Sequence, residues 1–206
     1  MSAEQIARRI ADDVFEYQVK TSRDAQALAA QLRALDLAED VVAGLDTVSL
    51  RFDPDKLTAL EAALASFKPD EAGSQLESET IQLSIQYGGE FGPDLTAICD
   101  QTGLSESAFI AMHTERTHTV EMIGFTPGFA YISGLPDGFA VPRLSQPRSR
   151  VPAGSVGVSS DYTGVYALAG PGGWPLIGRI QDQLFDPDSA SPFRLRPGHR
   201  VKFKAV

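Results

Sequence analysis

Residues 124–179 hold 11 of the chain's 18 glycines and seven of its 13 prolines, a density that rules out a helical domain there. Proline removes a backbone donor and fixes φ, and glycine resists the ordering that a helix interior demands. Short strands separated by turns are what such a segment can build. Runs at 155–158 and 164–168 read as strands of this kind, and 117–123 leads into them. A Pro197-Gly198 turn then precedes an alternating strand at 200–206. The pattern predicts a β-barrel with elaborate loops.

The residues before this segment follow another rhythm. Positions 14–19 alternate, with Phe15, Tyr17 and Val19 on one face. Ser22 reads as the N-cap of a helix in which Ala25, Leu28, Ala29, Leu32 and Leu35 recur at helical spacing. Strands at 40–43 and 47–52 join through Gly44, and a second helix carries Leu57, Leu60, Leu64 and Phe67 as its apolar stripe. The polar stretch 69–80 reads as a linker. The order βαββα with one later strand predicts a two-layer α/β sandwich. The chain is therefore expected to be α+β, with domains at 1–80 and 81–206. After a strand at 81–87, Pro93 and Asp94 suit the start of a short helix that Gly103 ends. Ser105 opens another helix, running to about His113.

Composition narrows the function. A net charge of −9 argues against nonspecific nucleic-acid binding. No apolar run approaches the roughly 20 residues of a membrane helix, and the first residues lack the order of a secretory signal. Cys99 is the single cysteine, which excludes an internal disulfide and a cysteine-based metal cluster. A cytoplasmic protein with neither nucleic-acid nor membrane partners is expected. His113, His118 and His199 lack metal-binding spacing, so no metal site is expected.

The charge is uneven. Within 124–179 the charged residues are Asp137, Arg143, Arg148, Arg150, Asp161 and Arg179, a balance of +2 that leaves −11 elsewhere. Arginine is the only cation there. Its planar fork suits carboxylate or phosphate, although the same arginines can simply pair with local carbonyls and distant acids. Prolines before Arg143 and Arg148 stiffen that backbone.

Absences bound the chemistry further. There is no phosphate-binding GxxxxGK[ST] loop and no Met-Lys-Met biotin site. Ser159-Ser160 lacks the preceding glycines and nearby lysine of a serine amidase. Three segments stand out positively. Tyr87-Gly88-Gly89-Glu90-Phe91-Gly92-Pro93-Asp94-Leu95 reads as a strand-to-helix turn. In 124–136, Phe125, Phe129 and Tyr131 flank a rigid Pro127-Gly128 turn, as pocket wall or as core. In 142–179, the Gly172-Gly173 turn can present backbone N–H groups to an oxyanion, or it can belong to a barrel edge stapled by Trp174.

Together these segments resemble the carboxyltransferase subdomain C and D family, shared by the B-type component of 5-oxoprolinase, the so-called allophanate hydrolase subunit 1 and a bacterial sporulation-kinase inhibitor. The family pattern runs YGGE-x-GPDL, a His at a helix end, and GF-x-PGF-x-Y-x-x-GLP. It continues with PR-x-x-x-PR-x-x-VPAGSV, TG-x-Y, PGGW and GR. This chain supplies those segments at 87–95, His113, 124–136, 142–156, 163–166, 171–174 and 178–179. It departs from the pattern at Leu144, Asp161-Tyr162, Gly170 and Ile180-Gln181, and has His118 where tyrosine is frequent. Those departures bear on the substrate and leave the expected fold intact.

The resemblance implies a ferredoxin-like N-terminal domain and a cyclophilin-like β-barrel. It implies a hydrolase subunit that is inactive alone and works with a homologous larger carboxyltransferase-like subunit and a third subunit. Together they open the lactam of 5-oxoproline to glutamate at the expense of ATP, which the complex binds without a phosphate loop in this chain. Arg148 and His113 are the expected catalytic residues. Arg143, Arg150, Arg179, Phe125, Phe129, Tyr131, Gly172 and Gly173 are expected to hold the substrate or its anionic groups. The alternatives are a subunit of a biotin-dependent urea or amide carboxylase or allophanate hydrolase system, and a non-enzymatic histidine-kinase inhibitor.

Overall fold

The computed structural model describes residues 7–67 and 79–206, and the chain divides into two compact units, Met1–Leu76 and Glu77–Val206. The expected linker at 69–80 lies outside the described residues except for its last two positions.

The first unit is a four-stranded antiparallel sheet with helices packed on it. In chain order it runs β1 (Arg8–Ala11), β2 (Val14–Gln18), α1 (Ser22–Ala34), β3 (Asp40–Ala43), β4 (Thr47–Arg51) and α2 (Leu57–Ser66). The sheet order is β1-β2-β4-β3. Alternation turns Phe15, Tyr17, Val48 and Leu50 inward, where they meet Leu28, Leu32 and Leu60 in one core. Two features differ from the sequence expectation. The fourth strand is β1, at the beginning of the unit rather than after it; its four residues are all exposed, so no alternation marks it. The cap of α1 is Thr21, one residue earlier than Ser22, and its hydroxyl accepts from the Asp24 amide.

The second unit begins with β5 (Thr80–Tyr87), α3 (Leu95–Thr102), α4 (Glu106–Glu115), β6 (His118–Ile123) and β7 (Ala130–Ser133). It continues with β8 (Arg148–Val151), β9 (Ser155–Ser159), β10 (Tyr162–Val165), β11 (Gly170–Gly172), β12 (Leu176–Ile180) and β13 (Arg200–Ala205). Seven strands close a barrel in the order β10-β7-β6-β13-β5-β12-β9, while β8 and β11 form a separate two-stranded ribbon. The pair β13–β5 is parallel, and the other neighbours are antiparallel. Val156, Val158, Val165, Ile132, Leu83 and Ile85 lie in one buried core.

The strand β9 is buried along its whole length, so its other face is covered too. There Gly157 faces Gly164 across the β9–β10 pair. A Cβ on Gly164 would sit 2.6 Å from the Trp174 ring and 2.7 Å from the Phe129 ring. The paired glycines leave the gap into which Trp174 packs, and that packing positions the site.

Candidate functional site

A cleft of about 250 Å³ opens beside this tryptophan. The loop before β7 contributes Phe125 and Phe129, and β7 contributes Tyr131. The strap between Gly170 and Leu176, which joins β11 to β12, contributes Pro171, Gly172, Gly173 and Trp174. Arg143, Leu144 and Pro147, ahead of β8, and Tyr166, after β10, complete the lining. Phe129 is the hub. Its ring meets Tyr131 and Tyr166 edge-on at 4.9 Å each, Phe125 at 5.5 Å and Trp174 at 5.7 Å. Edge-to-face rings lock each other's rotamers and make a rigid wall. Gly172 lies so close to the Tyr166 ring that any side chain there would collide with it.

Phe125 differs from its neighbours. It is 62% exposed and holds φ +67°, a left-handed conformation that strains any residue with a Cβ. Strained backbone of this kind concentrates at functional sites, and here it coincides with the cleft.

Arg143 is the cation of the cleft, and among the described residues it pairs with no carboxylate. Burial pushes the Tyr166 phenol up, and a backbone bond at Trp174 and the charges of Arg143 and Arg148 offset that only in part. The phenol thus stays protonated and polar beside a positive guanidinium. Aromatic walls with one unpaired cation suit a small, flat, anionic molecule.

The other predicted residues are placed elsewhere. Arg148 does not line the cleft; its Nη2 donates to Asp94 at 2.8 Å in an ion pair. Arg150 is exposed on β8, and Arg179 on β12 stacks over Phe91 at 5.0 Å. His113 is fully buried. One ring nitrogen, Nδ1, lies 2.5 Å from Tyr87 Oη and the other, Nε2, 3.0 Å from Thr163 Oγ1. The ring stacks on Phe203 at 4.5 Å, and burial, with His118 alongside, pushes its pKa well down. The arrangement brings together Arg143, Phe125, Phe129, Tyr131, Gly172 and Gly173, and leaves His113, Arg148, Arg150 and Arg179 outside that set.

Leu144, Pro147, Tyr166, Pro171 and Trp174 line the cleft in addition to the expected contacts, and the turn-rich motifs contain all five. Asp94 is the larger omission. As the residue before α3 it is expected to favour the helix start, yet its side chain makes no capping bond. Its carboxylate accepts from Arg148 and, at 2.7 Å, from the Leu176 amide. No local signal distinguishes a helix-starting aspartate from one that reaches 82 residues onward.

With this geometry in view, the similarities to known proteins are informative. Residues 5–195 match the family described as carboxyltransferase domain, subdomain C and D. A relative from Escherichia coli O157:H7, the B subunit of 5-oxoprolinase, is 38% identical over 85% of this chain and 82% of its own length. One of the same name from Haemophilus influenzae is 36% identical over 90% of this chain and 87% of its own. The crystal structure of TTHA0988 superposes with a TM-score of 0.79 at 30% identity, covering 98% of this chain. This chain spans 40% of that structure's length. Kluyveromyces lactis urea carboxylase shares the fold at 17% identity and a TM-score of 0.74, over 97% of this chain and 21% of its own.

Proposed function

The chain belongs to the carboxyltransferase domain, subdomain C and D family, and from that membership we propose that it is the B-type subunit of an ATP-dependent 5-oxoprolinase. The observation that carries this reading is an aromatic cleft with an arginine that pairs with no carboxylate among the described residues, in a chain 38% identical to the B subunit of a 5-oxoprolinase. The substrate, 5-oxoproline, is a flat five-membered lactam bearing a carboxylate. Arg143 takes the carboxylate, Phe125, Phe129 and Tyr131 pack on the ring, and the Gly172-Gly173 backbone faces the lactam oxygen. A lactam resists hydrolysis because its nitrogen shares electrons with the carbonyl. Transfer of the ATP γ-phosphoryl group to that oxygen, with release of ADP, activates the carbonyl carbon. Water adds there, and the ring C–N bond breaks as a proton passes to nitrogen. A second water releases phosphate from the resulting acyl phosphate to leave glutamate.

The nucleotide is bound at the level of the complex, since this chain has no phosphate loop. A homologous larger subunit and a third subunit supply the rest, so the chain is inactive alone. Support for partners comes from the relatives, each named as one subunit of its enzyme. It also comes from the 40% share that this chain's length makes up of a longer chain 30% identical to it. Among the described residues no helix is long and apolar enough to cross a membrane, and we read the complex as cytoplasmic. His113 serves the core, and Arg148 serves the shape of the cleft. We also read the first unit as ferredoxin-like, with β1 in the edge place usually held by a last strand, and the barrel as cyclophilin-like. The likeness to urea carboxylase, at 17% identity, is one of fold and does not favour carboxyl transfer.

The test is co-expression with the two partner subunits and measurement of 5-oxoproline-dependent ATP hydrolysis. The wild-type complex turns over. Arg143→Met lowers kcat/KM about 10- to 100-fold, the worth of one charged hydrogen bond, without moving Tm. A well-assembled wild-type complex with no 5-oxoproline-dependent hydrolysis overturns the reading.

A further inference from the structure

Asp94 lies outside the cleft, yet both feet of the strap that forms one cleft wall converge on it. Its Oδ1 accepts from Arg148 Nη2 at 2.8 Å. Arg148 in turn sits opposite Gly172 in the β8–β11 ribbon, which fixes the first foot. The second foot is Leu176. Its amide donates to Asp94 Oδ2 at 2.7 Å, and its carbonyl accepts from the Asp94 amide at 3.1 Å. Between these feet lie Gly173 and Trp174, which line the cleft, as does the first foot, Gly172, itself.

The carboxylate is free for this task because it caps nothing. As N-cap of α3 it makes no side-chain capping bond. Its two partners, 54 and 82 residues away, are the groups that bracket the strap. The ion pair is sheltered, with side-chain exposures of 29% for Arg148 and 17% for Asp94, so solvent screens it less than a surface pair. Pro147, next to Arg148, also lines the cleft, so the same contact sets a second part of the wall.

We propose that Asp94 is a positioning residue, which through Arg148 and Leu176 clamps the strap at 172 and 176 and so sets the width of the substrate cleft. The proposal rests on reading that cleft as the substrate site. A strap held at both ends presents the Gly172-Gly173 backbone and the Trp174 ring in one geometry, and that preorganisation tightens binding without touching the ligand. Substitution of Asp94 therefore acts on KM more than on kcat.

Trp174 is the only tryptophan of the chain, so its fluorescence reads the strap directly and needs no substrate. The experiment compares the full wild-type chain with Asp94→Asn, Asp94→Ala and Arg148→Lys. It uses acrylamide quenching of Trp174, amide exchange across 170–176, and thermal unfolding. The expected result is greater quenching and a fall of about tenfold or more in strap protection, the loss of one charge-assisted hydrogen bond. Exchange of the β5 and β13 amides stays unchanged. Arg148→Lys, which keeps the charge but loses the fork, falls between wild type and Asp94→Ala. In the assembled complex Asp94→Asn raises KM for 5-oxoproline several-fold at near-constant kcat. Unchanged quenching and exchange in folded Asp94→Asn overturn the proposal, as does protection lost equally throughout the barrel. If Asp94→Ala does not fold, Asp94→Asn and Arg148→Lys decide. If the strap loosens as expected while the wild-type complex ignores 5-oxoproline, the clamp stands and the substrate reading fails.

Discussion

Two aromatic clusters of the barrel unit use much the same residue types and are built in opposite ways. Around His113, the rings of Tyr87, Phe109, His118 and Phe203 close on one another, and both nitrogens of His113 are bonded within the protein. Around Phe129, rings meet edge-on but leave a cleft, lined by an arginine that pairs with no carboxylate among the described residues and by a strained, exposed phenylalanine. The first cluster encloses its polar groups, with both nitrogens of His113 bonded inside it, and the second leaves the Arg143 guanidinium on an open cleft. Residue type therefore says little about role here; saturation of partners says more. Both nitrogens of His113 are engaged within the barrel, where the ring braces Tyr87 and Thr163.

That contrast can be broken most decisively at His113. His113→Ala removes a buried ring and strands Tyr87 and Thr163, and is expected to cost about 3 kcal/mol or more in urea unfolding. Trp174 quenching and the turnover per folded complex remain near wild type. Full stability with abolished turnover would instead move His113 into the chemistry.

A smaller effect comes from pH. Burial pushes His113 and His118 below the ordinary histidine value, so the unfolded chain takes up protons that the folded chain refuses. Folded values lie below unfolded ones; the contribution is therefore intact above about pH 6.5 and lost as pH falls from there toward the folded values. Unfolding free energies measured from pH 7 to 5 should decline by up to about 1.4 kcal/mol per pH unit for each ring. A flat profile would mean that the closed cluster admits a proton.

The smallest effect sharpens the open cluster. Phe125→Gly relieves the positive φ, offset in part by the greater freedom of glycine in the unfolded chain, for a net gain of about 0.5–1 kcal/mol. The same change weakens 5-oxoproline binding in the complex. Stability rising while KM rises marks strain held for function, whereas lower stability would make Phe125 an ordinary packing residue.

Much of this arrangement is legible in the chain itself. Alternation at Phe15, Tyr17, Val48 and Leu50 marks the inward face of the first sheet, and all four are buried. The turn-rich motifs contain every residue that lines the cleft. The edge strand at Arg8–Ala11 is not legible, because an edge strand with four exposed residues carries no hydrophobic period. Nor is the fate of the arginines. Prolines stiffen the backbone before Arg143 and Arg148 alike, yet one guanidinium lines the cleft and the other meets Asp94.

By itself the sequence determined the α+β division, the barrel, the turns and the material of the cleft wall. Glycine, proline and apolar period act within a few residues, so their consequences can be read locally. Only the tertiary structure decided which polar groups line the cleft and which face each other. That choice depends on partners 50, 54 and 82 residues away, as for His113 with Thr163, Arg148 with Asp94, and Asp94 with Leu176. Hydrogen bonds and ion pairs form wherever closure of the barrel brings donor to acceptor, and no spacing along the chain encodes that meeting.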